Sequence, residues 1–280
     1  MTRALHVPIP MPERTFRPNW RKLVPFVAIH LLTIWAVIRV PPTLRLVALA
    51  FGMYLARMFA ITAGFHRYFS HRSFKTSRPF QFVLAVAANC SLMRGPLDWA
   101  AHHRYHHRFA DSPDDLHSPL QRGFWWSHVG WFLSRELMET KLAPVRDLEQ
   151  FPELVWLNRF YYLPTYTVAV VLYLAGGWPY VVWGFLVSTV FTWHAAFTIN
   201  SLSHQLGSRR FATEDSSGNN FALALLTLGE GWHNNHHREM TSARHGMTWW
   251  EIDVTYAGLR VFQMLGLIWD LRPSPEMPAP

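Results

Sequence analysis

Of the 280 residues only 16% are charged, against ~25% in an average soluble protein, while 50% are hydrophobic and the mean hydropathy is only +0.03. Very apolar stretches must alternate with very polar ones, which excludes an ordinary soluble domain and suits membrane spans joined to a large polar cap. The net charge of +8 fits the anionic cytoplasmic face of a membrane, and the apolar spans set aside its other common reading, nucleic acid.

Residues 1–20 hold Pro8, Pro10, Pro12 and Pro18 without an apolar core. They read as an N-terminal cytosolic tail, not a cleavable signal peptide. One membrane domain is expected over 21–272, and a second tail over 273–280. Apolar runs at 23–40 and 44–65, separated by Pro41 and Pro42, each approach the ~20 residues that cross a bilayer and predict a helical hairpin. Arg14, Arg17, Arg21 and Lys22 flank its start and place that side in the cytoplasm. A second hairpin is expected from 160–175 and 180–199, turning at Gly176, Gly177, Trp178 and Pro179.

The run 79–97 is long enough to span, but one extra crossing would put His66 and His103 on opposite faces. It is therefore read as an interfacial helix, with 259–269 as a weaker amphipathic candidate. The expected fold is all-α: an integral, multi-pass membrane protein with four spans in two hairpins, interfacial helices and a cytosolic histidine-rich cap. Both termini and the active site then lie on the cytoplasmic side. Arg57, inside the second span, is expected to pair within the bundle. The single cysteine, Cys90, excludes an intrachain disulfide and reads as a packed thiol.

A membrane scaffold does not need 16 histidines for packing. Four segments concentrate them: His66 and His71; His103, His106 and His107, preceded by His102; Asn200 and His204; and His233, His236 and His237. Residues at i, i+3 and i+4 share a helix face, which fits the second and fourth segments. A regular helix separates His66 from His71 by over a third of a turn, so these two are expected to straddle the end of the second span. Span parity brings all four segments to one side of the membrane.

Nine imidazoles, with Asn200 as an oxygen ligand, exceed what one metal takes and imply two. Imidazole suits iron, zinc, copper and nickel. Paired structural zinc sites usually recruit cysteine, so iron with open positions for oxygen fits better. His6, His30 and His194 read as structural, and His117, His128 and His245 as secondary or surface residues. A non-catalytic metal-binding membrane protein is the non-enzyme alternative.

These motifs resemble the membrane-bound fatty acid desaturases of the Δ9 acyl branch, whose pattern is H-x4-H, H-x2-H-H and H-x2-H-H with an added N-x3-H. The stretches from Gly123 (GFWWSHVGW) and Gly229 (GEGWHNNHH) look like that branch as well. The resemblance implies a di-iron, O2-dependent enzyme that introduces a cis double bond into a saturated acyl chain. The ligands would be His66, His71, His103, His106, His107, Asn200, His204, His233, His236 and His237.

The acyl chain, as acyl-CoA or a membrane lipid, is expected to contact Tyr54 and Trp99, with Arg122 and Arg135 near its head group. Relatives that use acyl-CoA tend to carry Arg-Asp before the second box, where this chain has Ala101 and His102. Some relatives carry a fused cytochrome domain. This chain ends soon after its last box, so a separate electron donor, a ferredoxin or similar protein with its reductase, is expected at the basic face. A membrane di-iron hydroxylase would share the same clusters.

Overall fold

The structure, a computed structural model, describes residues 16–140 and 142–273. The expected N-terminal tail up to residue 15, with His6, and the C-terminal tail from 274 onward lie outside the described residues. Among the described residues, three helical runs are long and apolar enough to cross a membrane: Trp20–Arg39 (α1), Leu44–Ser70 and Leu163–Ser201. Pro41 and Pro42 end α1, because the residue before a proline is pushed out of the helical region. Val40 accordingly sits at φ −123°, ψ 88°. The Thr43 hydroxyl accepts from the Leu46 amide and opens α2, Leu44–Phe59.

The second run is longer than the 44–65 expected, because α2 passes without a break into a π-helical segment, Ala60–Ser70. That segment is the centre of the core. Phe65, Phe69 and Ala63 are fully buried and pack with Ala85 and Ala88 of α3 (Arg78–Asn89) and Ala100 of α4 (Pro96–Phe109). Leu154 and Leu157 of α5 (Pro152–Arg159) and Leu259 join the same cluster. Gly64 permits the close approach of α3: a Cβ there would stand 3.3 Å from the Leu84 carbonyl oxygen.

α3 covers only part of the 79–97 run. Ser77 caps it and Pro79 sits in its first turn. Its 12 residues extend ~18 Å, short of a ~30 Å hydrocarbon core. α4 restarts at Pro96, where the Asn158 side-chain oxygen of α5 accepts from the Leu97 and Asp98 amides. Cys90 is a free thiol that donates to the Val86 carbonyl.

The third run comprises α6 (Leu163–Tyr180), a π-helical turn at Val181–Val187 and α7 (Ser188–Ser201). Gly176 and Gly177 interrupt it, Gly177 at φ +66°, a conformation glycine tolerates without a Cβ penalty. Beyond this point the chain folds back, because Leu172 and Phe185 belong to one packed cluster. A straight helix would hold them ~20 Å apart. Arg57 is fully buried, and its Nη1 donates to Ser188 Oγ at 2.6 Å and Thr189 Oγ1 at 2.7 Å.

Two expectations need correction. The fold is not purely helical: Lys75–Thr76 (β1) pairs antiparallel with Ile268–Trp269 (β2), Thr76 opposite Ile268. The amphipathic candidate 259–269 is therefore helical only to Met264, the end of the helix Val254–Met264. Gly266 at φ +69° turns the chain into β2.

Candidate metal centre

The π-helical segment resolves the spacing of the first cluster. In an i→i+5 helix, residues five apart fall on the same side of the helix. The His71 amide donates to the His66 carbonyl at 3.2 Å, and the two rings stand 4.8 Å apart. On the neighbouring helix, Arg104 reaches the open carbonyls at the end of this segment, bonding Ser70 O at 2.9 Å and Phe69 O at 2.7 Å. Asp147 fixes the same guanidinium at 2.8 Å. α4 is thus docked against His71 by satisfying backbone acceptors a helix end leaves open.

The nine histidines form two groups: His66, His71, His103, His107 and His236 in one, and His106, His204, His233 and His237 in the other. α4 and the short helix His233–Arg238 (α8) each contribute to both. In each helix the i, i+4 pair enters one group (His103 with His107, His233 with His237) and the i+3 residue enters the other. The reason is angular: i+4 lies ~40° from i on a helix and i+3 ~60° away on the opposite side.

In the first group the Nε2 atoms meet edge to edge: His71 to His103 at 2.8 Å, and His103 to His107, His107 to His236 and His236 to His66 at 3.0 Å each. In the second, His233 Nε2 is 3.0 Å from His204 Nε2, and the buried His237 Nε2 has no hydrogen-bond partner. Imidazoles that bind one ion at ~2.1 Å along perpendicular directions have nitrogens ~3 Å apart, so the donor sets fit metal. Burial holds His237 to about 4 and pushes His71, His103 and His107 well below the usual imidazole value. Neutral rings are the form that ligates.

Four carboxylates orient the rings from behind. Glu230 takes His66 Nδ1, and Asp111 and Asp215 take His204 and His237 Nδ1 at 2.9 Å each. Asp115 takes His106 Nδ1 at 3.2 Å. Each such contact fixes the proton on Nδ1 and leaves Nε2 free to ligate. Burial alone would raise Asp111, but the hydrogen bond and charge of His204, with Ser118 and Ser216, outweigh it and hold the carboxyl well below its usual range. Glu230 also accepts from the buried Arg67 at 3.1 Å, and Arg67 in turn holds Asp253 at 2.9 Å.

Sequence reasoning missed all four carboxylates. The available signal was their position: three of them follow a histidine box or precede one by a few residues, at Asp111, Asp115 and Glu230. The surface alternative for His117, His128 and His245 falls, since all three are buried. His117 stacks on His106, and His245 lies beside Glu230 and His236. His30, His194 and His128 form a separate chain, with Nε2 of His30 and Nδ1 of His194 leading onward at 3.0 Å per step.

A cavity of about 640 Å³ runs from His66 and His103 to Arg21, Lys22 and Arg94. Trp99 lines it and stacks on His103 at 4.9 Å; Asn200 also lines it, with its backbone carbonyl accepting from the Ser127 hydroxyl. The other expected substrate contacts are elsewhere. The Tyr54 hydroxyl donates to the Leu226 carbonyl and its ring packs on Phe191. Met58, Ile61 and Thr62 form that side of the wall instead. Arg122 pairs with Glu136 and lies over Trp126 at 3.1 Å, and Arg135 Nε donates to the Pro18 carbonyl. Neither arginine lines the cavity. His102 points away from both groups: its Nδ1 donates to the Asp98 carbonyl at 2.6 Å, and Arg94 Nη1 is 3.3 Å from its Nε2.

The chain is similar to known proteins over most of its length. The chain is 40% identical over 232 residues to the palmitoyl-monogalactosyldiacylglycerol delta-7 desaturase of Arabidopsis thaliana, covering 81% of this chain and 62% of that protein. It is 35% identical over 267 residues to the sn-1 stearoyl-lipid 9-desaturase of Synechocystis sp., covering 92% and 82%. It is 42% identical over 211 residues to the icosanoyl-CoA 5-desaturase of Limnanthes douglasii, covering 74% and 59%. The chain thus spans less than two thirds of the first and third of these proteins. The fatty acid desaturase family model matches residues 41–263, and the chain belongs to that family.

Proposed function

We propose that this protein is a di-iron, O2-dependent acyl desaturase that places a cis double bond, at Δ9, in a saturated acyl chain carried by CoA or a membrane lipid. The observation that carries this reading is the division of nine histidines into groups of five and four, with Nε2 atoms ~3 Å apart as ligands of one ion would be. Similarity to a stearoyl-lipid 9-desaturase supports Δ9. Similarity to delta-7 and delta-5 enzymes makes bond position the finest part of the proposal.

Iron at both groups would supply the oxygen activation that an unactivated C–H bond requires, since such a bond offers no acidity to a general base. Overall, two C–H hydrogens, two electrons and two protons reduce O2 to two waters as the double bond forms. The chain's own residues position and shield. Met58, Ile61 and Trp193 give the cavity an apolar wall, which aligns adjacent methylenes and excludes water. Trp99 covers one face of His103. Asn200, on the cavity wall, is proposed as an oxygen ligand.

The electrons come from a separate ferredoxin-like donor docking on the basic face. The protein is proposed to cross the membrane four times, with the fold-back at Gly176–Gly177 outside and the histidine cap and both termini in the cytoplasm. Arg17, Arg21 and Lys22 at the start of α1 support that orientation.

The test is expression in a host lacking Δ9 activity, followed by gas chromatography of its fatty acid esters. A new cis-9 monoene is expected. A hydroxy acid would assign a hydroxylase, and an unchanged profile from an iron-loaded, reduced preparation would leave a metal-binding protein.

A further inference from the structure

Part of the cavity lining is cationic. Arg21 and Lys22, in the first turn of α1, and Arg94, in the turn before α4, all line it; of its two lining carboxylates, Asp98 and Glu230, the second is taken by His66 and Arg67. Among the described residues, none of the three cations has a carboxylate within ion-pair distance. Arg94 is the informative one. Its Nη1 meets His102, while its Nη2 is buried with no hydrogen-bond partner.

His102 cannot neutralise Arg94. Its Nδ1 donates to the Asp98 carbonyl and its Nε2 accepts from Arg94, so it brings no negative charge to the guanidinium. A guanidinium fork with a free buried N–H, beside two further cations, is chemically matched to a tetrahedral oxyanion. An uncharged sugar head group would leave these charges uncompensated.

We propose that Arg94, with Lys22 and Arg21, binds a phosphate group in the head group of the acyl substrate. This rests on the desaturase reading and narrows its substrate to a phosphate-bearing carrier. The phosphate could belong to a glycerophospholipid or to an acyl-CoA thioester.

The test is equilibrium binding to the iron-loaded full chain in mixed micelles, with three stearoyl ligands: phosphatidylglycerol, coenzyme A thioester and monogalactosyl diacylglycerol. At least one phosphate-bearing ligand should bind about tenfold or more tightly than the galactolipid, and added salt should erode that preference. The preferred one of the two identifies the source of the phosphate. Arg94→Gln should remove most of the preference, and Lys22→Gln part of it. Equal or tighter galactolipid binding would overturn the proposal, as would an Arg94→Gln protein that keeps its iron and its full preference. If Arg94→Gln loses iron, Lys22→Gln decides: an undiminished preference overturns the proposal. Because binding is read separately from turnover, a phosphate preference without desaturation of any ligand would count against the proposed reaction and not against this subsite.

Discussion

The His71 amide donates to the carbonyl of His66, five residues earlier, at 3.2 Å. This i→i+5 pattern, set by the π-helical segment Ala60–Ser70, turns a spacing that would scatter two imidazoles around an α-helix into one that brings them to the same side. His71 then meets His103 at 2.8 Å, so its loss should open the first group alone. His71→Gln is expected to lower bound iron from about two per chain toward about one and to abolish desaturation. His233→Gln should do the same through the second group. Metal analysis of the purified variants checks this, and full iron in His71→Gln would refute the ligand assignment.

The adjacent pair His102 and His103 offers a sharper contrast. His103 Nε2 touches His71 and His107, while His102 bonds the Asp98 carbonyl and Arg94. His103→Gln should lose iron and activity. His102→Gln should keep both irons, with any loss falling on substrate affinity. The reverse pattern of iron content would shift the register of this box by one residue.

Acyl-chain selection should depend on Met58. It lies on the cavity wall, whereas Tyr54, one turn further from His66, does not. Four residues of helix are ~6 Å, so Met58→Ala should open depth for a longer chain and move the product profile toward longer monoenes. Tyr54→Phe should leave that profile unchanged and cost about 1 kcal/mol of stability, because the Leu226 carbonyl loses its donor. Gas chromatography and thermal denaturation measure the two effects, and an unchanged profile in Met58→Ala would dispose of the assignment.

Asp111 accepts from His204 Nδ1, from the Ser216 amide and hydroxyl, and from Ser118. Asp111→Asn keeps the shape but can present an N–H to a ring nitrogen that needs an acceptor. Loss of such an orienting partner typically weakens metal affinity about 10–100-fold. Competition with a chelator should show that drop for Asp111→Asn, confined to one of two irons. Unaltered affinity would mean that His204 is oriented by packing alone.

The histidine count, the apolar runs and the glycine-proline turn at 176–179 determine much of this protein without coordinates. Those signals rest on composition and local periodicity, which a sequence carries directly. The α-helical period was enough to show that His103, His106 and His107 belong together, as do His233, His236 and His237.

It was not enough to divide them. Which imidazole joins which group depends on how α4 and α8 face each other, and a helix alone cannot specify its partner's rotation. The π-helical stretch around His66 was equally illegible, because the same residues fit an α-helix locally and only packing against α3 and α4 shows the wider register. The carboxylates were missed for a related reason. Asp111, Asp115 and Asp215 sit in loops, where no period marks them. Asp111 reaches His204 across 93 residues of chain, a contact that tertiary structure decides because both groups must surrender water to the same buried space.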